Sequence, residues 1–286
     1  MLKDIVCGVK AQVNNRVLNL ENITELALTA FFAGGHVLLS GQAGLGKTKW
    51  AMALAHALGL NCKSERFCND LKPNELQNIM FSQVFMAEAI GYAHPRVQSI
   101  ITEAMENKAI IFGDKEHPNP FFVIATQDEG QTLPEFLRDR FMLKLTIPYP
   151  GIVAEKQLLQ IYHESKTPEP APLPVCNLEA IAKAKEEVQA VTVEDAVFNY
   201  IISIVETARR VGAVSVGPSP RGSIAMMMAS KAYAALQGRD YVTTEDVRRF
   251  ALPVLRHRLK LKPDALQEGV QVDHIIEGVL GGKKNV

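Results

Sequence analysis

The sequence predicts an α/β fold, a parallel sheet held between helices, followed by a smaller helical domain. Three observations lead there. Short apolar runs at His36-Val37-Leu38-Leu39-Ser40, Val84-Phe85-Met86-Ala87, Ile110-Ile111-Phe112 and Phe121 to Thr126 have the length and composition of strands buried on both faces. Helical periodicity separates these runs, which is the pattern of strands joined by crossover helices. Beyond Pro148-Tyr149-Pro150-Gly151 the strand signals cease and helical patterning takes over. The 286 residues therefore divide into an α/β core at 1–150 and a helical domain at 151–286.

The elements follow in order. Ile23, Leu26, Leu28, Ala30 and Phe31 recur at helical spacing from about Glu21 to Ala33, and Gly34-Gly35 stops that helix. A buried strand and a glycine-rich turn come next. A helix then runs from Lys47 to Leu60, with Gly59 near its end. Ala93 to Glu106 is a further helix, with Pro95 tolerated in its first turn. Asp114-Lys115-Glu116 reads as the polar tip of a hairpin. In the second half, the proline-rich stretch Thr167 to Pro174 is too stiff and too poor in donors for a helix. The basic run Arg256 to Lys262 reads as a solvated helix end, and Met226-Met227-Met228 as core of a helix.

Charge and cysteine usage narrow the function classes. Lys plus Arg and Asp plus Glu both number 31, so the chain lacks the basic excess of a protein that wraps phosphate backbones, and nucleic acid is not the expected partner. The four cysteines, Cys7, Cys62, Cys68 and Cys176, show no metal-ligand spacing and are expected as reduced thiols. Neither a signal-peptide core nor a membrane-spanning apolar run appears, so a cytoplasmic protein without a membrane partner is expected. H-E-x-x-H spacing is absent among the seven histidines, which argues against a catalytic metal centre of that type.

The most specific signal is Gly41-Gln42-Ala43-Gly44-Leu45-Gly46-Lys47-Thr48, which fits G-x-x-x-x-G-K-[ST] between a strand and a helix. Phosphates need inward-pointing backbone N–H groups, and Gly41, Gly44 and Gly46 let the backbone curl around them without Cβ clashes. The helix N-terminus adds a favourable dipole. Lys47 is expected on the β- and γ-phosphates and the Thr48 hydroxyl on Mg²⁺.

From His36 onward the chain resembles the MoxR family of AAA+ ATPases. Four ordered blocks carry the resemblance: His36-Val37-Leu38-Leu39 before the loop; Pro95-Arg96-Val97-Gln98-Ser99 through Glu103-Ala104-Met105-Glu106; Phe121 to Gln127 with Leu133-Pro134-Glu135 and Asp139-Arg140-Phe141; and Gly217 to Ser223 through Gly238-Arg239-Asp240-Tyr241-Val242 to Val254-Leu255-Arg256-His257-Arg258-Leu259. The resemblance implies a P-loop AAA+ core with an all-helical lid. It implies assembly into a ring, usually a hexamer, with ATP between neighbours. It further implies chaperone-like remodelling, often alongside a protein with a von Willebrand factor A domain. Residue by residue, it places Arg140 as the arginine finger, with Arg138 as a second candidate. It places Arg221 at the sensor-2 position, touching phosphate from the lid.

Several positions depart from the family pattern. Its Walker B strand ends in Asp-Glu, where the Asp holds Mg²⁺ and the Glu activates water. Aligned without gaps, this chain has Glu88 in the Asp place and Ala89 in the Glu place; slipped by one, Glu88 becomes the base and Ala87 replaces the metal ligand. Either way one carboxylate remains for two tasks. The sensor-1 position carries Asp128 where the family has Asn, and an ionised carboxylate donates no hydrogen bond. Gly91-Tyr92 replace a polar–basic pair. The stretch from Leu76 to Gln83 is shorter than the family's, which carries a client-contacting hairpin there. The expectation is a nucleotide-binding regulatory or remodelling ring subunit, pure or mixed with a paralogue, whose hydrolysis is impaired. The alternatives are a fully active motor, using Glu88 with help from Asp128 or Glu129, and a non-enzymatic scaffold.

Overall fold

The computed structural model describes residues 1–68, 82–107, 121–128, 130, 132–164 and 171–281. The first half runs α1 (Leu2–Asn14), α2 (Glu21–Phe32), β1 (Val37–Ser40), α3 (Lys47–Ala57), β2 (Cys62–Arg66), β3 (Val84–Glu88), a 3-10 turn (Ile90–Tyr92), α4 (Pro95–Asn107), β4 (Phe122–Gln127), α5 (Glu135–Arg138) and β5 (Leu143–Thr146). The strands form one sheet of order β2-β3-β4-β1-β5, parallel throughout, with Val37 level with Ile124 and Leu143 and with Val84 level with Phe122. All five strands therefore end on the same edge, where an open α/β sheet presents its binding crevice.

Side-chain alternation along these strands builds two apolar layers. Val37, Leu39, Val84, Met86, Phe122 and Ile124 point to one face, under α1, α2 and α3. Leu38, Phe85, Ala87, Val123 and Ala125 point to the other, where Val97, Ile101 and Ala104 of α4 cover them together with Leu137 and Phe141. Trp50 of α3 is wholly buried, and its indole N–H donates to Thr24 Oγ1 of α2 at 3.0 Å, so the largest side chain of the first layer also satisfies its polar atom.

The second half contains α6 (Ile152–Glu164), α7 (Leu178–Ala190), α8 (Asp195–Arg210), β6 (Val214–Val216), α9 (Pro220–Leu236), α10 (Thr244–Leu255), β7 (Lys260–Leu261), α11 (Pro263–Gln267) and α12 (Val272–Leu280). Helix ends follow local chemistry. Ser219 caps α9 by accepting from the Arg221 N–H, with Pro220 in the first turn, and Thr243 with Asp246 forms a capping box on α10. The boundary expected near residue 150 falls in the loop between β5 and α6. The first apolar layer does not stop there. It continues from Leu2, Leu28 and Trp50 into Ile201, Ala229, Phe250 and Ile275 without a gap.

Four features differ from the expectations. Three elements were not anticipated: α1, although Leu2, Ile5, Val6, Val9 and Val13 recur at helical spacing; β2 (Cys62-Lys63-Ser64-Glu65-Arg66), an edge strand with little apolar content; and β5, which has only Leu143 and Leu145. The lid is not wholly helical, because β6 and β7 form a small antiparallel ribbon. The basic run is not a solvated helix end: His257 and Arg258 are buried against the core domain. Of the three methionines only Met226 is fully buried; Met227 and Met228 are half-buried at the rim. The strand expected at Ile110–Phe112, the tip at Asp114-Lys115-Glu116, Glu129 and all but two residues of the shortened stretch Leu76 to Gln83 lie outside the described residues.

Candidate nucleotide site

At the C-terminal edge of the sheet, β1 passes into the glycine loop and α3 begins at Lys47. Gly41 has φ +143°, and a Cβ there would come within 2.8 Å of the Ile147 carbonyl oxygen, so only glycine fits. Gly46 is the left-handed cap of α3, with φ 74°. Lys47 Nζ donates to the carbonyls of Gly41 at 2.8 Å and Gln42 at 2.7 Å, which folds the side chain back over the loop it closes. Burial lowers the Lys47 pKa, opposed by the carboxylates of Asp128 and Glu88.

Glu88 is the last residue of β3, and its carboxylate is fixed from two sides. Thr48 Oγ1 and Ser64 Oγ both donate to Oε1, each at 2.7 Å. Ala89 follows in a left-handed conformation, φ 54°, and its N–H donates to Thr126 Oγ1 at 2.7 Å. One cleft gathers Lys47, Thr48, Glu88, Ala89, Thr126 and Asp128, and with them Lys49 and Arg66. A lysine over a glycine loop, a helix N-terminus, and a hydroxyl paired with a carboxylate match the needs of a polyphosphate with a hard, oxygen-liganded cation.

A second crevice lies across the glycine loop and shares Gly44, Gly46 and Lys49 with the first. Val17, Leu18, Leu20, Leu45, Ile147, Pro148, Tyr149 and Leu158 line it, with Arg16 and Asn19 at its polar margin. Its apolar walls suit a flat, weakly polar group attached to the phosphates.

Arg140 and Arg221 do not line this cleft. They meet elsewhere, on one carboxylate of α4: Arg140 Nη2 lies 2.6 Å from Glu106 Oε2, and Arg221 Nη2 lies 3.3 Å from Oε1. The Arg140 hydrogen bond holds the Glu106 carboxyl below its usual range. Arg221, at the start of α9, sits beside the Arg140 turn. Arg138, the second finger candidate, has no ion-pair partner among the described residues.

Asp139 joins that turn to the lid. Its Oδ1 receives Arg258 Nε at 2.9 Å and its Oδ2 receives the Ser219 hydroxyl at 2.9 Å. Arg258 also donates to the carbonyls of Asp139, Phe141 and Met142, and its side chain is 3% exposed. Burial pushes its pKa down to about 10, opposed by Asp139. His257 beside it is fully buried, which pushes its imidazole well below the ordinary range, and the Arg258 charge adds to the effect.

The structure thus brings together Gly41, Gly44, Gly46, Lys47, Thr48, Glu88 and Asp128, and gathers Arg140 and Arg221 in a separate cluster. Ser64, Arg66, Thr126, Glu106 and the Asp139–Ser219–Arg258 contact were missed by sequence reasoning. Ser64 and Arg66 sit on the strand that was itself missed. Glu106 and Asp139 stand in quoted motif blocks, yet no motif announces which arginine each one holds.

Comparison with known proteins identifies the family. Residues 76–143 match the family described as ATPase family associated with various cellular activities (AAA), and residues 206–279 match the AAA lid domain. Bacillus subtilis YeaC is 34% identical, across 95% of this chain and 92% of its own length. The chaperone MoxR1 of Mycobacterium tuberculosis is 29% identical, across 94% and 79%. A crystal structure of an inferred ATPase from Cytophaga hutchinsonii superposes with a TM-score of 0.90 at 27% identity, covering 98% of this chain and 94% of that one. With sheet order, phosphate loop, lid and relatives in agreement, the chain belongs to the MoxR family of AAA+ ATPases.

Proposed function

We propose that this chain is a nucleotide-gated ring subunit that holds Mg²⁺–ATP and hydrolyses it slowly. The observation that carries this reading is the hydrogen bond from Thr48 to Glu88 at 2.7 Å. It sets Glu88 beside the hydroxyl that the motif assigns to the metal, and so favours the ungapped alignment. Ala89 then stands in the base position, with no proton acceptor. Loss of a positioned general base costs on the order of 10²–10⁴ in rate.

In this reading Lys47 and the loop N–H groups bind the β- and γ-phosphates, and Thr48 with Glu88 holds Mg²⁺, which supplies charge neutralisation on the phosphates. The apolar crevice around Ile147 and Leu158 seats the adenine. Thr126 fixes the Ala89 backbone so that the end of β3 stays beside the metal ligands. Arg140 and Arg221 reach the phosphates of a neighbouring copy. Support for this comes from their shared site on Glu106, outside their own chain's cleft. Assembly into a hexameric or paralogue-mixed ring, a chaperone-like task like the one named for MoxR1, and a partner with a von Willebrand factor A domain belong to the same reading, as do the division at residue 150 and a cytoplasmic location. Among the described residues no helix is long and apolar enough to cross a membrane.

The test is ATP binding and ATP turnover on one purified sample with Mg²⁺, with Lys47→Ala as control. Tight binding that Lys47→Ala abolishes, with turnover far below that of active MoxR relatives, is the expected outcome. A second reading has one observation in its favour. Asp128 lines the same cleft as Glu88, so a carboxylate stands ready to take a proton from water. Clear turnover abolished by Asp128→Asn would establish that motor in place of the gated subunit. Absence of nucleotide binding would leave a scaffold.

A further inference from the structure

We propose that Arg66 is a γ-phosphate ligand that this chain supplies to its own nucleotide, so that the cleft selects nucleoside triphosphate over diphosphate by affinity. The proposal rests on the nucleotide reading above and adds to it the group that distinguishes the two ligands.

Arg66 ends β2, the strand beside β3, and lies level with Glu88 in the parallel register. Its backbone is anchored at the next residue. The Phe67 N–H donates to the Glu88 carbonyl at 2.9 Å, and the Phe67 ring is buried edge-on against Phe85. The guanidinium is therefore launched from a rigid point on the sheet edge, and it lines the phosphate cleft opposite Lys47. Among the described residues it makes no ion pair and no hydrogen bond, although Glu88, which takes its hydrogen bonds from Thr48 and Ser64, and Asp128 share the same lining. A planar, permanently charged fork not paired with a carboxylate is suited to phosphate oxygens, which it can meet with two parallel N–H donors.

Two neighbours make the case specific to this chain. Ala89 lines the cleft with a methyl group only, so the space that a longer acidic side chain would fill lies open to Arg66. Asp128 adds a negative charge at the polyphosphate end of the same cleft. Lys47 and Lys49 would meet Glu88 and Asp128 in equal number. Arg66 turns the balance toward cations, three against two. A site with an acidic base would activate water at this point; a site with an arginine there binds the terminal phosphate. Hydrolysis or loss of that phosphate removes the group Arg66 contacts, while the loop and Lys47 still hold the β-phosphate.

Affinities for ATPγS and ADP, each with Mg²⁺, are measured by titration calorimetry on the intact chain and on Arg66→Gln, Arg66→Lys, Lys47→Ala and Asp128→Asn. Arg66→Gln is expected to weaken ATPγS about ten- to hundredfold, the range for loss of a charged hydrogen-bonded partner. ADP should change by no more than about twofold, a factor worth under 1 kcal/mol. Arg66→Lys keeps the charge without the fork and is expected to fall between. Asp128→Asn in the Arg66→Gln background recovers part of the ATPγS affinity. Equal loss for both nucleotides, or no loss for either, overturns the proposal while the nucleotide reading stands on the Lys47→Ala result. Failure of the unaltered chain to bind either nucleotide overturns both together. Arg66 is exposed at a strand end, and matching circular dichroism spectra for all variants exclude misfolding as the cause.

Discussion

Ala89 is held at φ 54° by the hydrogen bond from its own amide to Thr126, so any side chain placed there starts from a fixed origin on the cleft wall. Ala89→Glu is therefore expected to raise ATP turnover about tenfold or more, toward the range attributed to a positioned base. Steady-state phosphate release measures it, and no gain would mean that Asp128, or the assembly, sets the limit. His257 offers a second residue-scale prediction. Its folded pKa lies well below the ordinary 6.5 because the ring is buried beside Arg258. A depressed pKa contributes stability that is complete above the unfolded value and is lost as pH falls toward the folded one. Urea midpoints are expected to drop as pH is lowered from about 7 toward 5, with a slope of at most about 1.4 kcal/mol per pH unit. His257→Gln should flatten that limb; an unchanged slope would assign the acid sensitivity to other groups. The glycines, Lys47 and Thr48 were legible in the sequence because the phosphate motif has a fixed order along the chain, and Glu88 and Asp128 only through the resemblance to the MoxR pattern. Ser64 and Arg66 were not, since their proximity to Glu88 exists only once β2 pairs with β3.

At the scale of elements, the informative contrast lies between strands of different composition. β1, β3 and β4 are continuous apolar runs because both faces of the sheet are covered, and such runs are conspicuous in a sequence. β2 and β5 occupy the sheet edges, alternate with polar residues, and carry too few apolar side chains to stand out. The run from Arg256 to Lys262 misled for a related reason. Four cations within seven residues suggest solvent, yet the turn after α10 tucks Arg258 beneath the Asp139-Arg140-Phe141 segment, where carbonyls and one carboxylate replace water. Breaking a buried pair by removing one partner is strongly destabilising. Arg258→Leu is expected to lower unfolding stability by about 3 to 5 kcal/mol, read by chemical denaturation. A loss below about 1 kcal/mol would show that the contact is incidental to the fold.

For the whole molecule, the decisive fact is that the first apolar layer runs uninterrupted from α1 through the sheet into the lid helices. Near residue 150 the secondary structure changes, while this apolar layer continues. That continuity was hidden in the sequence, which shows periodicity within segments and says nothing of which distant faces meet. The separation of the two charged centres is likewise a property of the whole chain. Because Arg140 and Arg221 lie outside their own cleft, Arg140→Ala is expected to leave nucleotide affinity of the dilute chain within about twofold, a factor worth under 1 kcal/mol. ATP-dependent self-association should weaken, as measured by sedimentation across a concentration series. A large loss of affinity in the dilute chain would place Arg140 in its own site and remove the argument for a neighbour.

The carboxylate of Asp139 is fastened twice, to the start of α9 through Ser219 and to the turn after α10 through Arg258. A single fastening acts as a pivot, about which an attached body can still turn. Two fastenings on different parts of that body resist torque as well as separation. A rotation of the lid would therefore pull on the Arg140 turn, and in the proposed ring a swing started at one nucleotide would be passed mechanically to the surface offered to the next.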